Sequence, residues 1–175
     1  QPTRYIFDEG HHVFGAADNA FSVHLTGLEG AELRRWLRGA EGRRRSRSRG
    51  LKSRVDGLLG EDAKAAQALV DIIAGAGLLP SDGWRQRCVD GQPRGAAEVF
   101  LAEICALVYA RSQNPYSPFN LETDVEDAPP SLVAAGDDLY AAFDTLSRPL
   151  RQLRERLAAR LDAEADSLDS ATRGR

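Results

Sequence analysis

The stretch from Ala96 to Arg111, AAEVFLAEICALVYAR, is the most apolar helical pattern of the chain and decides its fold class. Its apolar residues recur three and four positions apart, as residues on one face of an α-helix do. We therefore expect this stretch to be the central helix of a mainly α-helical protein. The apolar set is Ala97, Phe100, Leu101, Ile104, Cys105, Leu107 and Val108.

Two other helix starts carry capping signals. Thr26 and Glu29 form a capping box, in which the Thr hydroxyl accepts from the amide three residues on. The box predicts a helix from about Gly27 to Leu37. Asp62 is a good N-cap for a helix that runs to about Ala76. The residues expected to face inward from that helix are Ala66, Leu69, Val70 and Ile73.

The C-terminal part of the chain predicts two more helices. The first begins at Ser131 and ends at Leu146. The second begins near Pro149, because Ser147 can cap it and proline is favoured in the first turn. Its leucines follow at the spacing of a helical hairpin or bundle seam.

The N-terminal end has a different pattern. Tyr5, Ile6 and Phe7 form a short apolar run that is typical of a buried parallel strand. Residues 21–26 alternate between apolar and polar side chains, which predicts an extended segment. The predicted fold is therefore mainly α, a helical bundle with a short N-terminal β-strand remnant. We divide it into residues 1–26 and a helical unit, residues 27–175.

Length and composition limit the function classes. The chain has 175 residues, about one domain, and no apolar run approaches the ~18 residues that a membrane span needs. Its two cysteines are too few for a disulfide scaffold. The chain has no methionine and begins at Gln1, which indicates a piece of a longer protein. No signal-peptide pattern is visible, and we expect a cytoplasmic location without a membrane partner.

Positive charge is concentrated in one segment. Residues 34–54 contain ten basic residues and one acid, a net charge of +9, so the remaining residues carry −12 of the total of −3. Residues 39–50 predict a mobile basic loop between helices. Its candidate contacts to the phosphates of single-stranded DNA are Arg43, Arg44, Arg45, Arg47 and Arg49. The alternative is a solvated loop without a ligand.

The stretch from Ile6 to His12, IFDEGHH, carries the candidate chemistry. A strand that ends in adjacent Asp and Glu is how a P-loop nucleotidase presents its second acidic motif. Asp8 would hold Mg²⁺, and Glu9 would orient or deprotonate the water that attacks the phosphate. The alternative is an exposed turn after a strand. A zinc site at the histidines is disfavoured, because adjacent histidines rarely chelate one ion.

The acidic box Asp8-Glu9-Gly10-His11 and its surroundings resemble the DinG/XPD type of ATP-dependent DNA helicase, in superfamily two. The resemblance covers residues 4–14 and 21–26, and it continues through residues 31–40 and the arginine run. It implies that the helical unit corresponds to the arch domain. It also implies that Asp8 coordinates Mg²⁺ of Mg-ATP, that Glu9 is the hydrolytic residue, and that His11 couples the nucleotide state to DNA binding.

Parts that this family needs are missing from the sequence. There is no glycine-rich phosphate loop with Lys and Ser or Thr, and no second motor domain. The implied partners are therefore single-stranded DNA and the remaining motor domains of the parent chain, and we expect no ATP hydrolysis by this piece alone. Cys88 and Cys105 follow the box and are too few to hold the iron–sulfur cluster of many members, so we predict no cluster here.

Two other classes of function stay open from the residues alone. One is a non-enzymatic helical module that binds nucleic acid or protein through the basic loop. The other is an acidic helical scaffold for a protein partner. Trp36 and Trp84 would stack on bases if exposed, but both lie at apolar helical positions, which favours packing in the core.

Overall fold

The computed structural model describes residues 4, 10–22, 24, 26–41, 49–114, 116 and 121–163. These residues form seven α-helices and two short 3₁₀ turns, at Gly10–His12 and Ala76–Leu78, with no β-strand among them. The mainly helical prediction is therefore confirmed. The helices are α1 (Val13–Phe21), α2 (Gly27–Arg38), α3 (Leu51–Leu59), α4 (Ala63–Gly75), α5 (Trp84–Val89), α6 (Gly95–Arg111) and α7 (Pro130–Ala163).

The core lies between α4 and α7. These two helices make the most extensive contact in the structure, and α6 packs along α7 as well. Ile72 of α4 is completely buried. From α7, Leu146 and Leu153 close on the same cluster, and Leu37 at the end of α2 adds to it. α2 and α3 are thereby fixed against the α4–α7 pair.

Both predicted capping signals are confirmed. The Thr26 hydroxyl accepts from the Glu29 amide at 3.1 Å and donates to the Glu29 carboxylate at 2.7 Å. The Asp62 carboxylate accepts from the amides of Lys64 and Ala65, both at 3.0 Å. Each contact satisfies amide donors that a helix start leaves without an intrahelical partner.

The prediction that a second C-terminal helix begins near Pro149 is wrong. Instead of two helices that meet near Pro149, the structure has one helix of 34 residues with Pro149 inside it. Proline in a helix interior removes one hydrogen bond and costs about 3 kcal/mol. Here the flanking Leu146 and Leu153 are both buried against α4, and Pro149 is buried beside them. Packing along both halves therefore outweighs the local signal to restart.

The strand remnant is not supported. Tyr5, Ile6 and Phe7 lie outside the described residues, as do Val23 and Leu25 of the second extended segment. Phe21 is the last residue of α1, where the Ser22 amide donates to the Asp18 carbonyl at 2.8 Å. The extended prediction is therefore wrong at Phe21, because a helical hydrogen bond closes over it.

Two core assignments also change. The inward face of α4 is made of Ala65, Ala68, Leu69 and Ile72, so the predicted face is displaced by one position except at Leu69. α6 buries only Ala97, Glu98 and Leu107, and the most buried helix is α4. Within the described ranges, no helix is both long enough and apolar enough to cross a membrane.

Candidate nucleic-acid interface

The residues of the acidic box are only partly placed. Asp8 and Glu9 lie outside the described residues. His11 is exposed in the 3₁₀ turn that precedes α1, with its ring 4.0 Å from that of His12. In the part of the chain that the structure describes, no three His, Cys, Asp or Glu side chains are grouped so that they could hold a metal ion. The nucleotide-site assignments therefore stay predictions.

Arg34, at the start of the basic segment, points into the protein. Its Nη1 donates to the carbonyls of Ala76, Gly77 and Leu79 at 3.2, 2.8 and 2.9 Å. These carbonyls follow the C-terminal end of α4, where an arginine also interacts favourably with the helix dipole. Arg34 therefore fixes α2 to the end of α4 and cannot serve a ligand.

A second arginine and an acid complete this anchor. Arg38 donates from Nη1 to the Ile73 carbonyl at 2.9 Å. Its Nε also pairs with Glu41 at 2.6 Å, while Arg34 Nε donates to the same carboxylate at 2.5 Å. The hydrogen bond from Arg34 holds the pKa of Glu41 below its usual value, against the opposing effect of partial burial. Glu41 therefore stays ionised and holds the start of the basic loop on the helical body.

The other end of the loop is fixed by close backbone contact. A side-chain carbon at Gly50 would lie 2.6 Å from both the Arg38 carbonyl carbon and the Gly39 nitrogen. Only glycine allows this approach, so Gly50 holds the start of α3 against the end of α2. The predicted break at 39–50 is confirmed at both ends, since α2 ends at Arg38 and α3 begins at Leu51.

The predicted phosphate contacts are placed only at one end. Arg43, Arg44, Arg45 and Arg47 lie outside the described residues, and Arg49 is exposed just before Gly50. On the adjoining surfaces Arg35, Lys52 and Arg54 are also exposed. Of the described basic residues between 34 and 54, Arg34 and Arg38 are therefore structural. Arg54 Nε also donates to the Arg49 carbonyl at 3.3 Å, and Arg35 pairs with Glu32 at 3.8 Å, but both remain exposed, as do Arg49 and Lys52.

A cleft of about 480 Å³ lies at the base of the loop. Its walls come from α2, from residues 39–41 and from Pro80, Ser81 and Asp82 before α5. Besides Arg34 and Arg35 it contains three carboxylates, so it does not favour phosphate. We therefore place the candidate interface on the loop and the exposed arginines, not in the cleft.

The wall of this cleft is supported by a buried carboxylate that sequence reasoning missed. Glu98 has no solvent-exposed surface and accepts from Arg87 Nε at 2.9 Å, from the Arg94 amide at 2.8 Å and from the Ser81 amide at 3.1 Å. Burial alone would raise its pKa, but these hydrogen bonds, with Arg87 the strongest, lower the pKa to about 2. No pattern in the sequence marks this residue, because it occupies an otherwise apolar helix face.

Both tryptophans are less buried than the predicted packing in the core requires. Trp84 is half-buried, and its ring covers Gly27 so closely that a side-chain carbon there would overlap it. Trp36 is 62% exposed on α2, so its predicted packing in the core is wrong. The helix turns Leu37 inward instead, and Trp36 lies 100° away around the axis.

Comparison of the chain with protein-family models, with curated proteins and with solved structures finds no match.

Proposed function

We propose that this chain is part of an ATP-dependent DNA helicase, in which the helical body guides single-stranded DNA. The proposal of DNA binding is supported by the basic segment between α2 and α3, whose two ends are held on the helical body. Arg34, Arg38 and Glu41 fix its first end and Gly50 fixes its second. Arg35, Arg49, Lys52 and Arg54 are exposed near these two ends, and four more arginines stand between them in the sequence. Because both ends of the segment are held on the body, the exposed cations at these ends favour a strand that passes close to it.

The ATPase half is supported by the acidic box and its resemblance to the DinG/XPD type. Asp8 would hold the Mg²⁺ of Mg-ATP, which neutralises charge on the phosphates during hydrolysis. Glu9 would position the attacking water and accept its proton. His11 would transmit the nucleotide state to the DNA path. The phosphate loop and the second motor domain would come from the parent chain, and the complete protein would act in the cytoplasm, in DNA repair.

The test of DNA binding is a fluorescence anisotropy titration with a labelled single-stranded oligonucleotide across a salt series. The variant replaces Arg43, Arg44, Arg45, Arg47 and Arg49 with alanine. Each phosphate contact to a single strand contributes about 0.7 to the slope of log K against log salt. Loss of all five contacts would therefore lower that slope by roughly 3.5.

A control variant with Lys64, Arg85 and Arg94 changed to alanine removes exposed cations elsewhere. We expect it to change the slope by less than about one contact's worth. Equal slopes for wild type and the five-arginine variant would leave the loop as a solvated segment. Absence of binding at low salt would contradict the DNA-binding proposal itself.

The ATPase half is tested separately in the complete parent protein. Glu9→Gln should abolish DNA-stimulated ATP hydrolysis while DNA affinity is retained. Asp18→Asn, on the exposed surface of α1, is the control and should hydrolyse ATP normally. A parent protein that binds DNA but hydrolyses no ATP would favour the non-enzymatic helical module.

A further inference from the structure

The groove between α2 and α7 is mostly apolar and carries charges of both signs. Its volume is about 360 Å³, and Leu33 of α2 and Phe143 and Leu150 of α7 are among the apolar residues that line it. Asp144 and Arg151, both on α7, line it as well. A ligand with charges of one sign would meet a like charge in this groove, so its partner must carry both an acid and a base.

The side of α7 that faces this groove is ordered about Ser147. Asp144 precedes Ser147 by three residues, and Arg151 follows it by four. Tyr140 and Arg154 lie seven residues away on either side, and seven residues make nearly two helical turns, so both lie in line with Ser147. Tyr140 is 77% exposed, and Arg154 keeps 75% of its side-chain surface exposed. An aromatic ring and an acid on one side of Ser147 are therefore matched by two arginines on the other.

Charge along the whole of α7 is sorted in the same order. Between residues 130 and 146 the helix carries three Asp and no base, whereas between 148 and 160 it carries five Arg and one Glu. Arg156 and Arg160 bind groups of the protein itself, whereas Arg148, Arg151 and Arg154 are exposed. A helix that is acidic in one half and basic in the other is complementary to a copy of itself turned end to end.

We propose that a second copy of this chain binds this groove, with the two α7 helices antiparallel about a two-fold axis at Ser147. Asp144 of each copy then lies beside Arg151 of the other. Tyr140 of each copy lies opposite Arg154 of the other, as a cation–π contact requires. Two-fold symmetry forms every contact twice, and the small side chain of Ser147 allows close approach where the helices cross. This dimer is a property beyond DNA binding and does not depend on it.

The contacts that these charges make within one chain are easily exchanged. Asp144 pairs with Arg148 one turn further on, and 75% of the Arg148 side chain is exposed. Arg151 donates to the carbonyl and the hydroxyl of Ser147 at 3.4 and 3.3 Å. Exposed contacts of this kind contribute little to stability, so their replacement by contacts across an interface costs little. Burial of the Tyr140 ring in the dimer adds a hydrophobic contribution.

The test is sedimentation equilibrium of the full chain over a series of protein concentrations. The mass of the wild-type protein should rise from one chain to two. Asp144→Arg and Arg151→Asp should each weaken the dimer at least about tenfold, because each places like charges opposite one another twice. An equimolar mixture of these two variants should form a heterodimer, since one copy then carries two bases and the other two acids. Each variant must be folded to bind the other, so the mixture also excludes misfolding as the cause of the loss.

Two further variants make the test specific to this face of α7. Tyr140→Ala should weaken the dimer about five- to thirtyfold, since it removes two cation–π contacts. Asp138→Arg makes the same change of charge as Asp144→Arg at an exposed position about 120° away around the helix, and should change the affinity less than about twofold. A wild-type protein that stays a single chain at every concentration would overturn the inference. Dimers of Asp144→Arg and of Arg151→Asp as tight as those of the wild type would overturn it too, whatever the outcome of the DNA titrations.

Discussion

Replacement of Glu98 by Gln is the most informative test of how the helical body is held together. The change keeps the size of the side chain but removes its charge and one acceptor. Arg87 then loses the carboxylate that accepts from both its Nε and its Nη2. The new side-chain amide NH₂ would face either the Arg94 amide or the Ser81 amide, so two donors would meet where the carboxylate had accepted. Loss of one member of a buried ion pair is strongly destabilising, since the other charge stays buried without compensation.

The magnitude follows from the pKa. Lowering the pKa of Glu98 from 4.5 to about 2 corresponds to about 3 kcal/mol at ~1.4 kcal/mol per pH unit. Arg87 is still 17% exposed, and solvent screening reduces the figure to about 2 kcal/mol. Because the folded-state pKa is below the unfolded value, this stability is present above about pH 4.5 and is lost as pH falls through about 2.

Urea unfolding followed by circular dichroism measures the effect. At pH 7, Glu98→Gln should lower the free energy of unfolding by about 2 kcal/mol or more. The difference from wild type should shrink between pH 4.5 and pH 2, as the wild-type carboxylate takes up a proton. Glu122→Gln, in the exposed loop before α7, should stay within about 0.5 kcal/mol of wild type. A Glu98→Gln protein as stable as wild type at pH 7 would refute the reasoning.

Two further pairs of variants test the anchors of α2. Arg34→Ala removes the cap on the carbonyls after α4 and should lower thermal stability by about 1–3 kcal/mol, while Arg35→Ala, at an exposed position, should change it by less than about 0.5 kcal/mol. Gly27→Ala forces a carbon into the Trp84 ring and should destabilise by about 1–3 kcal/mol. Gly57→Ala in α3 meets open space and should stabilise by about 0.5–1 kcal/mol. Equal melting temperatures within either pair would contradict the contact it tests.

Local chemistry in the sequence was enough to place the starts of α2 and α4 and the break between α2 and α3. Thr26 and Asp62 act through neighbours two or three residues away, and the segment between Gly39 and Gly50 has Ala40 as its one apolar residue. These signals do not depend on tertiary packing. The starts could therefore be predicted before any contact was known.

Features that depend on packing could not be predicted in this way. The apolar run in α4 offers two overlapping faces, and contact with α7 selects the one that contains Ile72. Pro149 sits inside α7 because the leucines on both sides are buried together. The number of arginines in the basic segment likewise does not predict that Arg34 points inward, because its partners are carbonyls more than forty residues away in the sequence.

The contact of Gly50 with the Arg38–Gly39 backbone brings the two ends of the segment between α2 and α3 together. Because the entropy of loop closure grows only with the logarithm of length, doubling the number of residues between these ends would cost about 0.6 kcal/mol. A glycine–serine insert, a single reactive cysteine for a dye, or a graded series of charges can occupy that position while the helical scaffold stays constant. The charge of this segment and the stability of the folded body can then be varied independently.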